Sequence, residues 1–355
     1  MQLLKAPDNM NRLYVAGARQ RSLLFKKEEE QFLYEDALIL QLDTITHGAR
    51  VCVEYKSPLE VRAGEQASNA FKCGTLAGNK LYVCTSTEIL IFEVPTFKQI
   101  SYVSLPCFND LHHVTPTHDG NLLIANTGLD MVIKITPEGE ILREWDVLNE
   151  GPWCRFSRQV DYRKVDSTKP HRSHPNYVFE LGTDVWVTRF AQRDAICLND
   201  SGKRIDIQAQ APHDGLVFGD RIFFTTVDGK IVTANRQTLA VDEIIDLQMI
   251  DKREKNLLGW CRGLLPLDER RIWVGFSRVR KTRFKENILW VKQVLGEGIA
   301  EMPTHLALYD IVDKRCLQEL DVEQYGLNAI FGIFPADPLA RENNPVGTAP
   351  IEAMT

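Results

Sequence analysis

Along residues 111–147 apolar and polar positions alternate in four short runs, LHHV, NLLIAN, MVIKI and ILREWDV. Asp119-Gly120, Gly128-Leu129-Asp130 and Pro137-Glu138-Gly139 stand between them. Period-two alternation broken by Asx/Gly and Pro/Gly turns predicts four short antiparallel strands making one small twisted sheet. Such a sheet covers neither of its faces and needs copies of itself alongside. The copies are present at 69–105, 173–207, 211–247 and 259–322, the last with a long insertion. In the first of them the second, third and fourth strands are expected at 80–84, 89–93 and 99–105.

The two ends of the chain complete the pattern. Strand-like runs occupy 13–16, 22–25, 37–42 and 51–55, with a charge run at 26–30 that reads as a solvated hairpin end. Near the other end, 326–334 (GLNAIFGIF) is a single strand with no partner after it. A terminal strand that pairs with strands from the N-terminus closes a ring and removes exposed sheet edges. The expected fold is therefore all-β: one β-propeller over residues 1–335, with six blades, and with seven as the alternative count because 68 residues precede the first clear copy. Insertions at 149–172 and 278–304 are expected to cap one face, the second carrying a short helix at 286–295, and 336–355 to form a mobile tail.

A register count across the copies points to the centre of the ring. The first apolar residue of each second strand is Leu81, Leu122, Val185, Ile222 or Ile272, and nine positions back stand Lys72, His113, Asn176, His213 and Gly263. Side chains alternate faces along a strand, so His174 is expected to share the direction of Asn176. In the closing strand the polar residue is Asn328.

Composition narrows the function classes. A net charge of −6 argues against nucleic acid as partner, and no apolar run approaches the length of a membrane span. Residues 1–11 lack the apolar core of a signal peptide, so a cytoplasmic location is expected, with the eight cysteines as free thiols. Cys154 and Cys261, each beside Trp and Arg, are the two to check for reactivity. No oligomeric state is signalled.

The candidate chemistry is imidazole and guanidinium. His113, His174 and His213 come from three successive blades. They are candidates for general acid–base catalysis, for binding a divalent metal (no cofactor being otherwise indicated), or for hydrogen bonding to water in the channel. Arg262 adjoins a register position, Arg189 sits in VTRF, and RVRKTRFK places Arg278, Arg280, Lys281, Arg283 and Lys285 within eight residues. Guanidinium groups in such positions suit carboxylate, phosphate or sulfate. With Asn176 and Asn328 they make the candidate substrate-binding set. Asp119 and Asp214 both precede Gly and are read as turn residues. Trp153, Trp260 and Trp290 offer an aromatic wall.

The repeat H-x-V…DGN-L-x-I-A-x-T…V-x-x-x-x-x-x-G-x-I resembles the six-bladed propellers of the regucalcin/gluconolactonase, strictosidine-synthase-like and NHL-repeat group. The resemblance covers most of the chain and implies the fold. Gluconolactonase-type members hold a divalent cation with Glu, Asn and Asp on inner strands, and of the register residues here only Asn176 matches that set. GWCRGL…IWVGFSRVRKTRF is similar to a motif in bacterial propeller proteins of unknown activity. Two functions follow as expectations. One is an enzyme of lyase or hydrolase type acting on a small polar or anionic substrate in the central funnel. The other is a non-catalytic propeller scaffold, which would have no need of imidazoles in its channel.

Overall fold

Each apolar run that follows a turn becomes the second strand of a four-stranded antiparallel sheet, and there are six such sheets. The computed structural model describes residues 11–21, 33–252, 256–278 and 300–336. Blade 1 contains, innermost first, Ala329–Pro335, Arg12–Gln20, Tyr34–Asp43 and Ala49–Tyr55. Blade 2 contains Gly74–Ala77, Lys80–Cys84, Ile89–Glu93 and Lys98–Val103, and blade 3 Leu111–Pro116, Leu122–Asn126, Met131–Ile135 and Ile141–Asp146. Blade 4 runs Pro175–Leu181, Asp184–Arg189, Asp194–Cys197, Arg204–Asp206, and blade 5 runs Pro212–Phe218, Arg221–Thr226, Lys230–Asn235, Val241–Asp246. Blade 6 is Trp260–Pro266, Arg271–Ser277, His305–Asp310 and Arg315–Asp321, beside a parallel pair of Asn256–Leu257 with Ala300–Glu301.

The propeller is thus six-bladed and closed by its termini. The residues before blade 2 supply three strands of blade 1 and a connection, leaving no seventh blade. The expected strand at 22–25, the charge run at 26–30, the helix at 286–295, and all of the tail beyond 336 lie outside the described residues. Among the described residues no helix is long and apolar enough to cross a membrane.

Second strands are apolar on both faces because each is covered on both. The six seams between blades are filled by separate apolar clusters: Tyr14, Leu81 and Leu90 between blades 1 and 2, for example, and Phe223, Ile231 and Val274 between blades 5 and 6. Each fully buried Leu, Val or Phe contributes roughly 1.5–3 kcal/mol, so the seams supply most of what holds the ring.

Innermost strands pack one on the next around the axis. In five of them the pairing with the second strand slips once. The slip falls between Leu111 and His113, Pro175 and Tyr177, His213 and Leu216, Cys261 and Leu264, and opposite Ala16/Gly17 in the closing strand. The residues left out of the ladder are His112, Asn176, Asp214 with Gly215, Arg262 with Gly263, and Phe331. A bulge re-aims its side chains. Here the bulges sit where the strands begin, at the face from which the 4→1 connections enter.

Candidate functional site

His112, His174, Asn176, His213, Arg262, Phe331 and Lys72 are gathered at that face from all six blades. Lys72 is 4% exposed and places its ammonium 4.8 Å from the centroid of the Phe331 ring; the Arg262 guanidinium lies 5.3 Å from the same ring. Lys72 approaches Asp110 Oδ1 at 3.7 Å, whereas the buried Nε of Arg262 has no acceptor among the described residues and its charge acts on the buried Asp214 carboxyl. The rings of His112 and His174 are 4.7 Å apart, and His174 and His213 both touch Phe190.

His213 is 5% exposed, and neither ring nitrogen has a hydrogen-bond partner among the described residues. Asn176 donates from Nδ2 to Pro212 O (2.8 Å), but its buried Oδ1 accepts nothing. Buried polar atoms are almost always paired, so three such orphans around one axis mark a place built for something polar. Burial, then the positive charge of Arg262, holds His213 well below the usual imidazole range; burial, then the neighbouring His112, does the same for His174.

Hydrogen-bond accounting assigns the protons. His112 Nδ1 faces Asp110 O at 3.0 Å, an acceptor only, and Thr127 Oγ1 at 2.7 Å, whose own hydrogen goes to Pro175 O at 2.5 Å. Nδ1 must therefore carry the proton, and in neutral His112 the lone pair is on Nε2. Likewise Thr168 donates to Gly128 O, so His171 Nε2 donates to Thr168 Oγ1 (3.3 Å). In a neutral His171, Nδ1 is then the acceptor in its 2.8 Å contact with His174 Nδ1 and the His174 lone pair is on Nε2; in a protonated His171 the two roles are exchanged.

His174 is held by Asp130, which lies in the left-handed region (φ 52°) at 1% exposure. Its carboxylate accepts from the backbone N–H groups of Arg172 (2.9 Å), Ser173 (3.0 Å) and His174 (2.8 Å) and from Arg155 (2.8 Å). It thus anchors the second half of the 149–172 insertion to blade 3. Asp130→Ala leaves those donors orphaned and is expected to cost roughly 2–4 kcal/mol. Asp130→Asn, which tolerates the same backbone, should lose less. Thermal melts, with amide exchange at 172–174 as the local readout, check this; unchanged exchange in Asp130→Ala would remove the anchor from the account.

Other residues of the expected set lie elsewhere. His113 is fully buried between blades 2, 3 and 4: Nε2 donates to Gly74 O (3.3 Å), Val178 N–H donates to Nδ1 (3.3 Å), and the ring stacks on Tyr177 at 3.6 Å. The bulge at His112 turns it from the channel. Arg189 is spent on Asp194 through Nε and Nη2 (2.8 and 2.7 Å) and on Val147 O, and Arg278 on Glu323 (3.0 Å). Asn328 accepts from Gln20 N–H at 2.8 Å and ties the ring closure, leaving Phe331 as the blade 1 residue of the channel. Arg280 lies outside the described residues, with Lys281, Arg283, Lys285 and Trp290. Asp119 is indeed a turn residue, paired with Lys134 (2.6 Å). Asp214 is not in a hairpin turn: it occupies the blade 5 bulge (φ 51°), 5% exposed, bonded to Thr225 Oγ1 and to Gly263 N–H at 3.1 Å, and burial raises its pKa to about 6. Cys261 is buried with its thiol pushed well up by desolvation, while Cys154 is exposed. Trp153 anchors the insertion against Tyr162 under Arg158.

A cation shared by His113, His174 and His213 does not fit, since His113 is committed to backbone. Among the described residues no three His, Cys, Asp or Glu side chains are grouped to hold a metal ion. Beside the channel a recess of about 740 Å³, counting space open to solvent, is lined by Arg62, Lys72, Asp110, Arg163, Lys169 and His171 among others.

No family model matches the chain, and no curated protein matches it. Among solved structures it is similar to a protein of unknown function from Bacteroides caccae, with a TM-score of 0.57 at 12% identity, over 91% of this chain and 98% of that one. It is also similar to virginiamycin B lyase from Staphylococcus aureus. A catalytically inactive form with quinupristin gives a TM-score of 0.44, and a selenomethionine form 0.42, each at 16% identity over 67% of this chain and 69% of that one. The Bacteroides likeness is one of fold alone.

Proposed function

We propose that the protein is an enzyme that binds a small anionic molecule in the central channel and acts on it by acid–base chemistry of lyase or hydrolase type. The observation that carries this reading is the group of buried orphan atoms on His213, Asn176 and Arg262 facing one axis. Arg262 holds the anion. A neutral imidazole, His112, His174 or His213, takes a proton from the substrate or from a hydrolytic water and returns it to the leaving group. Lysine 72 adds positive charge without leaving its Phe331 contact.

The test is turnover of a panel of lactones, esters and β-substituted carboxylates, followed by proton NMR. His174→Gln or His213→Gln is expected to lower kcat by roughly 10²-fold or more, and Arg262→Gln to raise KM. Because burial holds His174 and His213 well below the usual imidazole range, kcat/KM that depends on either of them should remain flat through about pH 6.5, where an unperturbed histidine would be half protonated. Turnover indifferent to all three histidines would sink the catalytic reading. Anion binding with no turnover would leave a ligand-binding propeller.

A further inference from the structure

A second polar site lies beside the channel, where the 149–172 insertion meets the connection from blade 1 to blade 2. Two segments supply most of the lining of the recess of about 740 Å³, counting space open to solvent. The connection contributes Arg62 and a patch of Ala63, Ala67 and Ala70, and the insertion contributes residues 163 and 165–169. Ser86 of blade 2 and Asp110, just before blade 3, also line it. The segments are tied to one another and to the blades. Lys164 Nζ donates to Leu59 O and Thr87 Oγ1 to Val61 O, both at 2.6 Å, while Asn109 Nδ2 donates to Tyr162 O and Val165 O at 2.8 and 2.9 Å. A recess held in this way pays little ordering cost when it is filled.

Arg62 is the group that the fold leaves unexplained. Its buried Nε has no acceptor, Nη1 reaches only Glu65 O at 3.3 Å, and no carboxylate pairs with it among the described residues. Buried donors are almost always paired, so this one marks a place for an acceptor. The other charges of the lining answer one another. Arg163 is bound through Nε and Nη2 to Asp161, both at 2.8 Å. Burial opposes ionisation of Asp110, yet His112, Lys72, Lys169 and His171 hold it well below the usual carboxylate range. Arg62, Lys72 and Lys169 thus stand against Asp110 and the exposed Asp166, which leaves one positive charge in surplus. Two hydroxyls add donors. Ser167 Oγ accepts from Lys169 N–H at 3.2 Å but has no acceptor for its own hydrogen among the described residues, and the Ser86 hydroxyl has no partner among them.

We propose that this recess binds a small phosphate or sulfate monoester, its tetrahedral oxyanion against Arg62 and the hydroxyls of Ser86 and Ser167, its organic part along Ala63, Ala67 and Ala70. Donors from three separate segments suit an anion that carries acceptor oxygens on several sides, whereas a carboxylate presents its two oxygens in one plane. The recess is larger than an oxyanion alone requires, and the alanine patch gives the remainder of an ester apolar cover. The site is separate from the one proposed for the channel. Arg262, Asn176 and His213 do not line it, and of the channel residues Lys72 alone belongs to both.

Full-length protein titrated at neutral pH with phenyl phosphate, phenyl sulfate, inorganic phosphate and benzoate, by calorimetry or ligand-observed NMR, tests this. At least one of the two esters is expected to bind roughly tenfold or more tightly than benzoate or inorganic phosphate, and the tighter ester identifies the oxyanion. Arg62→Gln, with melts confirming the fold, should weaken that ester at least roughly tenfold, and Ser167→Ala roughly threefold. Arg262→Gln, in the channel, should leave it unchanged. Benzoate bound as tightly as the esters would overturn the tetrahedral anion, and inorganic phosphate bound as tightly would overturn the ester. Binding of neither ester, or ester binding that survives Arg62→Gln, would overturn the site. Ester binding lost in Arg262→Gln and kept in Arg62→Gln would place the anion in the channel, overturning this inference while supporting the reading made there.

Discussion

Moving the protein from about pH 7.5 to about pH 4.5 is expected to destabilise it, with His113 alone contributing roughly 2.5–3 kcal/mol of the loss. Burial lowers the His113 pKa to about 3 from 6.5, because both its nitrogens are spent on backbone groups and the ring is sealed against Tyr177. A depressed folded-state pKa means that the stabilisation is complete above the unfolded value and is lost as the pH falls toward the folded one. His174 and His213, also depressed, act in the same direction. Asp214 opposes them. Its pKa is raised to about 6, so its unfavourable contribution at neutral pH disappears on acidification, returning roughly 2 kcal/mol over the same interval. Three imidazoles against one carboxyl leave acid destabilisation as the net result.

Two variants separate these contributions. His113→Gln should be less stable at neutral pH by roughly 1–3 kcal/mol, since an amide meets the Gly74 and Val178 backbone groups imperfectly, yet its stability should fall less with acid. Asp214→Asn should lose stability more steeply than the parent, because the compensating proton uptake is gone. Urea melts across the pH range read all three proteins, and the His113 ring carbon shift gives a direct titration. A His113 resonance that titrates near about 6.5, or an acid slope identical in parent and His113→Gln, would show that the ring is not sealed.

Much of the fold was legible in the period-two pattern, because every second strand is covered on both faces and reads as an apolar run such as LLIAN or IFFTT. The register count reached the channel to within one residue in five of the six blades. It named Asn176 and His213, and it placed Lys72, yet it gave His113 where His112 faces the axis and Gly263 where Arg262 does. The difference is the bulge, an irregularity of the ladder that leaves no mark in alternation. Phe331 could not be counted at all, since blade 1 draws its innermost strand from the opposite end of the chain. Arg189 and Arg278 looked available for anions because their carboxylates come from neighbouring strands or turns, Asp194 and Glu323, that spacing does not connect to them. Asp214 looked like a turn residue because DG is a favoured turn dipeptide, and only the ladder shows it inside a strand.

Ring closure is the point where the largest loss from one methyl group is expected. Gly17 lies opposite Ile330 in the pairing of Arg12–Gln20 with the closing strand Ala329–Pro335. A Cβ on Gly17 would stand 1.8 Å from Ala329 O and 3.0 Å from Leu327 Cδ1. Its backbone φ is ordinary, so the requirement for glycine here is space. The obstructing oxygen belongs to the main chain and cannot yield without opening the seam. The Gly17 carbonyl also accepts from Phe71 N–H at 3.1 Å, so the same residue ties blade 1 to blade 2. Gly17→Ala is expected to cost roughly 3–5 kcal/mol and to lower Tm by roughly 10 °C. Gly74→Ala is the matched control. Its Cβ would meet Tyr82 O at 1.9 Å, a comparable clash within blade 2 and away from the closure. Both variants should melt early, but only Gly17→Ala should speed amide exchange along 329–335 ahead of the other innermost strands. It should also weaken binding of the anion proposed for the channel, because Phe331 would no longer be held between Lys72 and Arg262. A Gly17→Ala protein that melts like the parent, with 329–335 still protected, would mean that the termini do not hold the ring closed.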